Sequence, residues 1–276
     1  MTVVVVTDAS ARLPADLLQK WAIRVVPLHI LLEGADLRDG VDEVPEDIYK
    51  RHATTAAATP AELANAYQQA LADSGGDGVV AVHISSALSG TCAAAERTAA
   101  DLDPHVRVVD SKSTAMGTGF VALAAARAAA TGAGPDAVAD AANLAVRHSH
   151  AFMVVHRLDN LRRSGRIGGA KAWLGTALAL KPLLRIDDGK LVLAQRVRTV
   201  SHATAAMIER VCEVAGDSPA ALAVHHVANP DGAKEVATEL ARRLPACEPA
   251  IVTPLGPVLA LHVGAGAVAV VVQLPT

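Results

Sequence analysis

Aromatic residues are scarce: two Phe, two Trp and two Tyr make up 2% of the 276-residue chain. Stacking platforms for unpaired bases need several rings close together, so nothing here supports single-stranded nucleic-acid binding. An excess of one charge is missing as well. Twenty-five basic and 28 acidic residues leave a formal net charge of −3, with both signs spread along the chain and no general pull towards nucleic acid or anionic membranes. Cysteine is too sparse for a framework, since Cys92, Cys212 and Cys247 are widely spaced, odd in number and in no C-x-x-C pattern. Neither a disulfide scaffold nor a zinc site is indicated, and a reducing compartment is the simpler reading. The opening MTVVVVTDAS has no basic n-region and reaches Asp8 after a strand-length apolar run, so it reads as a buried strand rather than a signal peptide. Gly256 to Leu274 is the most apolar long stretch, but His262, Gly264 and Gly266 interrupt it. It reads as buried strands around a turn, not as a membrane span. The expectation is a cytoplasmic protein.

Several catalytic frames are also absent. No G-x-G-x-x-G follows the first strand, no G-x-x-x-x-G-K-[ST] occurs, and no serine sits in G-x-S-x-G. What is present is a globular composition, 51% hydrophobic and 19% charged, over a length that suits two domains.

The first half alternates strand-like runs with alanine-rich helical segments. VVVVT (3 to 7), IRVVPLHILL (23 to 32), GVVAVHI (78 to 84) and HVRVVDS (105 to 111) read as strands. Pro14 opens one helix, and Pro60 opens another behind Thr59 and Glu62, the spacing of a capping box. Strands separated by helices of this length predict a parallel, Rossmann-like sheet, with ligands outside the carboxyl ends of the strands. In the second half AFMVVH (151 to 156), ALAVHHV (221 to 227) and AVAVVVQL (267 to 274) read as strands. PLLRIDDGKLVLAQRVRT (182 to 199) reads as a hairpin turning at Asp188-Gly189. LDNLRRSGRIGGAKAWLG (158 to 175) reads as a helix, a glycine-rich basic turn and a second helix, and Asp231 to Arg243 as a further helix. The expected fold is α/β with two domains: residues 1–150 with a parallel sheet, and residues 151–276 with a largely antiparallel one.

Hydroxyls gather at the predicted strand ends, most densely in HISSALSGT (83 to 91). As a nucleophile, Ser86 or Ser89 would need an oriented base; His83 precedes the turn on the strand, and His262 could reach only through the fold. Alternatively Ser89 caps the helix that follows, an arrangement that also leaves N–H groups for an anion. Thr54-Thr55 are either loop residues or a second hydroxyl site. Arg162, Arg163 and Arg166, spaced by Gly165, Gly168 and Gly169, form either an anion-seeking turn or a solvated connection. Arg196 and Arg198 lie two apart, on one strand face.

Taken in order, VTDASARLP, VVPLHILLEG, HISSALSGT, VVDSKSTAMGTG, LDNLRRSGRIGG, LALKPLLRIDDGKL, VRT and GPVLALHVGAGAVAV resemble the DegV family, bacterial fatty-acid-binding proteins that serve a fatty acid kinase. The resemblance runs through nearly the whole chain and implies a long-chain fatty acid held in a tunnel between the two domains. It implies carboxylate contacts from Thr55 and Ser89, in a ligand-binding set with Gly90, Thr91 and His262, and it carries over Arg166 and Arg198 as phosphate-handling or kinase-facing residues. The first domain then bears the carboxylate turns; the second bears part of the tunnel and the basic surface. The implied partner is an ATP-dependent fatty acid kinase of the DhaK/DhaL-like kind, with no cofactor, no metal, no catalytic residue and no nucleic acid. No stable membrane insertion is implied, and transient membrane contact stays open. The loop T-T-A-A-A-T-P departs from the family's T-S-Q-P pattern after the threonine. The alternative from the residues themselves is a small-molecule phosphotransferase or serine hydrolase using Ser89 and His262.

Overall fold

A computed structural model describes residues 2–167 and 181–276. The chain divides into two compact units, one of Met1–Val44 with Thr54–Arg147, the other of Pro45–Ala53 with His148–Thr276. The short Pro45–Ala53 excursion is the feature that a single boundary near residue 150 does not describe.

The first unit contains β1 (Val4–Asp8), α1 (Ala15–Lys20), β2 (Arg24–Val26), β3 (His29–Leu32), β4 (Ala35–Arg38), β5 (Ala53–Ala56, entered from the other unit), α2 (Pro60–Ser74), β6 (Val79–His83), α3 (Thr91–Leu102), β7 (Val106–Asp110), α4 (Met116–Ala130) and α5 (Pro135–Arg147). Four strands form a parallel sheet in the order β2-β1-β6-β7. Every residue of β6 is fully buried, as expected of a central strand covered on both faces, and this is why it reads as an unbroken apolar run. The run 23 to 32, expected as one strand region, divides at Pro27. Proline has no N–H to extend the ladder, so β2 stays in the parallel sheet. β3 turns away into a second, three-stranded sheet, β4-β3-β5. Glu33 and Gly34 make its hairpin with φ of 51° and 86°, both positive as a tight two-residue turn requires. The capping box of α2 is formed: Thr59 accepts the Glu62 N–H, and the Glu62 carboxylate accepts the Thr59 N–H.

The second unit contains β8 (Ser149–Val154), α6 (Asp159–Arg163), β9 (Lys181–Asp187), β10 (Lys190–Val197), α7 (Val200–Ala215), β11 (Ala221–His226), α8 (Pro230–Arg243), β12 (Ile251–Pro254), α9 (Pro257–Val263) and β13 (Val268–Gln273). Its sheet runs β10-β9-β8-β13-β11-β12, antiparallel except for the parallel pair β11 and β12. Phe152, Leu183, Leu222, Val224 and Val270 pack there against Met207, Val211, Val236 and Leu240 from α7 and α8. The hairpin turns at Asp188-Gly189, with φ of 44° and 77°.

Two expectations change in this unit. Residues 257 to 263, expected as strand, form α9. Val258, Leu259, Ala260, Leu261 and Val263 are all buried, and a helix buried all round loses the alternating pattern that would reveal it. Arg198 does not share a strand face with Arg196, because β10 ends at Val197. The second helix expected after the basic turn, together with Gly168 and Gly169, lies outside the described residues.

Candidate functional site

At the end of β6 the chain winds into a closed turn. The Ser85 N–H donates to Ser113 O (2.8 Å), while Ser85 O accepts the N–H groups of Leu88 (2.9 Å) and Ser89 (3.0 Å). Ser85 Oγ accepts the Ala87 N–H at 3.2 Å, and Ser86 Oγ donates to Asp110 Oδ2 at 2.6 Å. Both serines are occupied in shaping the turn. Ser89 differs. Half-buried, its Oγ shares a 2.9 Å hydrogen bond with Thr91 Oγ1 and accepts the Thr91 N–H at 3.3 Å. The N-cap of α3 is Gly90, with no side-chain cap, so Ser89 stands one residue ahead of the capping position expected for it. Gly90 has an ordinary φ of −71°, and a Cβ added there would meet nothing within 4 Å. Neither its backbone nor its packing in the protein demands a glycine.

Beneath this turn runs a buried polar chain. Asp8, at the end of β1, accepts from Ser10 N (3.0 Å), Ser10 Oγ (2.5 Å), Ile84 N (2.9 Å) and His83 Nδ1 (3.0 Å). With the proton on Nδ1, His83 Nε2 accepts from the Tyr67 hydroxyl at 2.8 Å. Asp8, His83 and Tyr67 are each fully buried. Burial alone pushes the Asp8 carboxyl up; the bonds from His83, Ser10 and Ile84 outweigh it and hold the group below its usual range. Burial, with the Asp8 charge nearby, pushes the Tyr67 phenol far up. Both His83 ring nitrogens are therefore taken, and neither serves Ser86 or Ser89 as a base. Sequence reasoning missed Asp8 and Tyr67. A carboxylate at the end of VVVVT was the available signal, because a buried charge needs a partner. Thr7 pairs with Val82 in the parallel register, which brings His83 to the level of Asp8.

Thr55, expected in a loop, lies on β5 and is half-buried. In the second unit, His262 lies on α9 and Arg166 follows α6. Burial, helped by the Arg166 charge, pushes the His262 imidazole down to about 4. Near pH 7 it is a neutral hydrogen-bonding group rather than a cation. Arg166 Nη1 donates to Ser164 O at 2.6 Å, and Gly165 makes the turn with φ of 72°. Arg198 is exposed beside Thr199, whose Oγ1 accepts the His202 N–H to cap α7. A cavity of about 240 Å³ at the end of α9 is lined by Tyr49, Lys50, His156, Arg157, Asn160 and Gly264. The structure thus brings Ser89, Gly90 and Thr91 together, and Arg166 within electrostatic range of His262; Thr55 and Arg198 stand on other elements.

Among the described residues no group of three or more His, Cys, Asp or Glu side chains could hold a metal ion, and no helix is long and apolar enough to cross a membrane.

A parallel sheet with hydroxyl turns at its strand ends, followed along the chain by a mixed sheet with a basic turn, defines a two-sheet α/β protein. The model described as "Uncharacterised protein, DegV family" matches residues 2–274, and the chain belongs to the DegV family. A DegV domain-containing protein of Mycobacterium tuberculosis is 75% identical over 274 residues, covering 99% of this chain and 98% of the relative. Among solved structures, a fatty-acid-binding DegV family protein from Thermus thermophilus superposes with a TM-score of 0.92 at 32% identity, covering 100% of both chains. DegV of Bacillus subtilis, a fatty acid binding protein, gives 0.90 at 27%, also covering 100% of both.

Proposed function

We propose that this protein binds a long-chain fatty acid and presents its carboxylate to a separate ATP-dependent kinase, which converts it to an acyl phosphate. The carrying observation is the Ser89-Gly90-Thr91 turn. Ser89 and Thr91 offer paired hydroxyls, and between them stands a glycine that the protein's own packing does not require. A ligand approaching the backbone closely gives that glycine a reason. Ser89 and Thr55 hold the carboxylate, with Gly90, Thr91 and His262 completing the ligand contacts. Hydroxyls hold a carboxylate without the bidentate grip of an arginine, which leaves an oxygen able to attack phosphorus. Kinship with the Thermus and Bacillus fatty-acid-binding proteins supports the ligand class. The kinase step is carried by the resemblance and the basic residues Arg166 and Arg198, with Lys50 and Arg157 in the cavity at α9 adding donors on the same unit.

Native mass spectrometry of protein purified from a bacterial host tests the carrier reading. A co-purifying mass of a C16–C18 fatty acid is expected. Lipid-free protein that hydrolyses acyl or phosphate esters would instead favour an enzyme. Arg198→Ala separates the two halves of the proposal. Palmitate affinity should change by less than about threefold, in keeping with an exposed charge worth under about 1 kcal/mol, while kinase-coupled turnover falls at least about tenfold. Collapse of binding with turnover intact would reverse that division of labour.

A further inference from the structure

His29, on β3, is used by neither the hydroxyl turn nor the Asp8 chain. It is 5% exposed and meets a carboxylate at each ring nitrogen: Nδ1 lies 2.7 Å from Asp36 Oδ1 on β4, and Nε2 lies 2.8 Å from Glu62 Oε2 on α2. Ionised carboxylates only accept, so both nitrogens donate and the ring is an imidazolium. The same Glu62 oxygen accepts the Thr59 N–H (3.0 Å) and the Thr59 hydroxyl (2.6 Å). One carboxylate oxygen therefore joins the middle strand of the small sheet to the start of α2. Thr55 lies between these two anchored points, on β5, which pairs with β3 on the side away from β4. Ala56, Ala57 and Ala58, which follow it, have no polar side chain with which to hold the path.

We propose that His29 is a positioning residue for the head-group site: the His29–Glu62–Thr59 relay fixes the backbone on both sides of Thr55, and so sets where its hydroxyl meets a fatty-acid carboxylate. The inference rests on the fatty-acid reading above. Asp36 and Glu62 touch the ring, and the Arg38–Asp42 ion pair lies within electrostatic range of the same cluster. Burial pushes the His29 pKa down, but the bonds and charges of Glu62 and Asp36 outweigh it and raise it. The relay is therefore intact below that raised value and loosens as pH climbs through it. The Glu62 and Asp42 carboxyls are held below their usual range and Arg38 above its own, so none of these three changes charge over the same range.

Palmitate affinity measured from about pH 6 to 9 in the wild type, His29→Gln, Thr55→Val and the double variant tests this. Wild-type affinity should fall about tenfold at the alkaline end, the worth of one hydrogen bond. His29→Gln should start about tenfold weaker and stay flat. With Thr55→Val already present, His29→Gln should cost nothing further. Independent, multiplying losses, or a flat wild-type profile, would overturn the proposal. Glu62→Gln, which keeps an oxygen for Thr59 while removing the charge facing His29, should reproduce the His29→Gln profile if that variant folds poorly. Wild-type protein that binds no palmitate at any pH would overturn the fatty-acid reading itself. Binding that depends on Thr55 but not on His29 would overturn only the positioning role.

Discussion

Octanoate is expected to bind about four orders of magnitude more weakly than palmitate. Eight fewer methylenes at about 0.8 kcal/mol each remove roughly 6 kcal/mol of burial, and the rotor freedom that a shorter tail keeps returns part of it. Ser89→Ala should cost much less, about 1–3 kcal/mol, the range for one hydrogen bond to a charged acceptor. Tail burial sets affinity in this scheme; the hydroxyl turn sets which end of the ligand faces out. Calorimetric titration of delipidated protein with both acids, on wild type and Ser89→Ala, checks the order. If Ser89→Ala costs more than the missing methylenes, the head group is the source of affinity.

Asp8→Ala should lower the stability of the first unit by about 3–5 kcal/mol, because each buried donor left without an acceptor costs about 1–3 kcal/mol. The wild-type carboxylate satisfies Ser10 N, Ile84 N and His83 Nδ1 while fully buried. Alanine leaves those donors without an acceptor, and it frees His83 from the orientation that lets Nε2 accept from Tyr67. Ile84 is the last residue before the Ser85–Thr91 turn, so ligand affinity should fall with stability. Urea unfolding followed by circular dichroism measures the first effect; an unchanged midpoint would remove Asp8 as the anchor of the turn. Asp8→Asn keeps the shape but supplies a single accepting oxygen, and should lie between wild type and Asp8→Ala.

Much of the first unit is legible in the sequence. The β1, β6 and β7 strands announce themselves as apolar runs, and α2 by its proline and capping box, because those signals are local. Pro27 was equally visible, yet its effect was not. A proline says that a ladder stops, but not that the next strand joins another sheet. The α9 helix was misread for a related reason, since burial on every side erases periodicity. Of the candidate site, the hydroxyl turn was visible as a cluster at a strand end, while its role as a ligand site came from the family resemblance.

The sequence by itself determined the class of protein: α/β, with hydroxyl turns at strand ends, a basic glycine turn and the ordered motifs of the DegV family. Only the tertiary structure decided which polar groups are spent on architecture. Asp8 accepts from His83, whose other ring nitrogen accepts from Tyr67, and His29 ties Glu62 to Asp36. Each of these depends on which side chain faces which across 7 to 75 residues of sequence. Local composition carries no record of that distance; packing does.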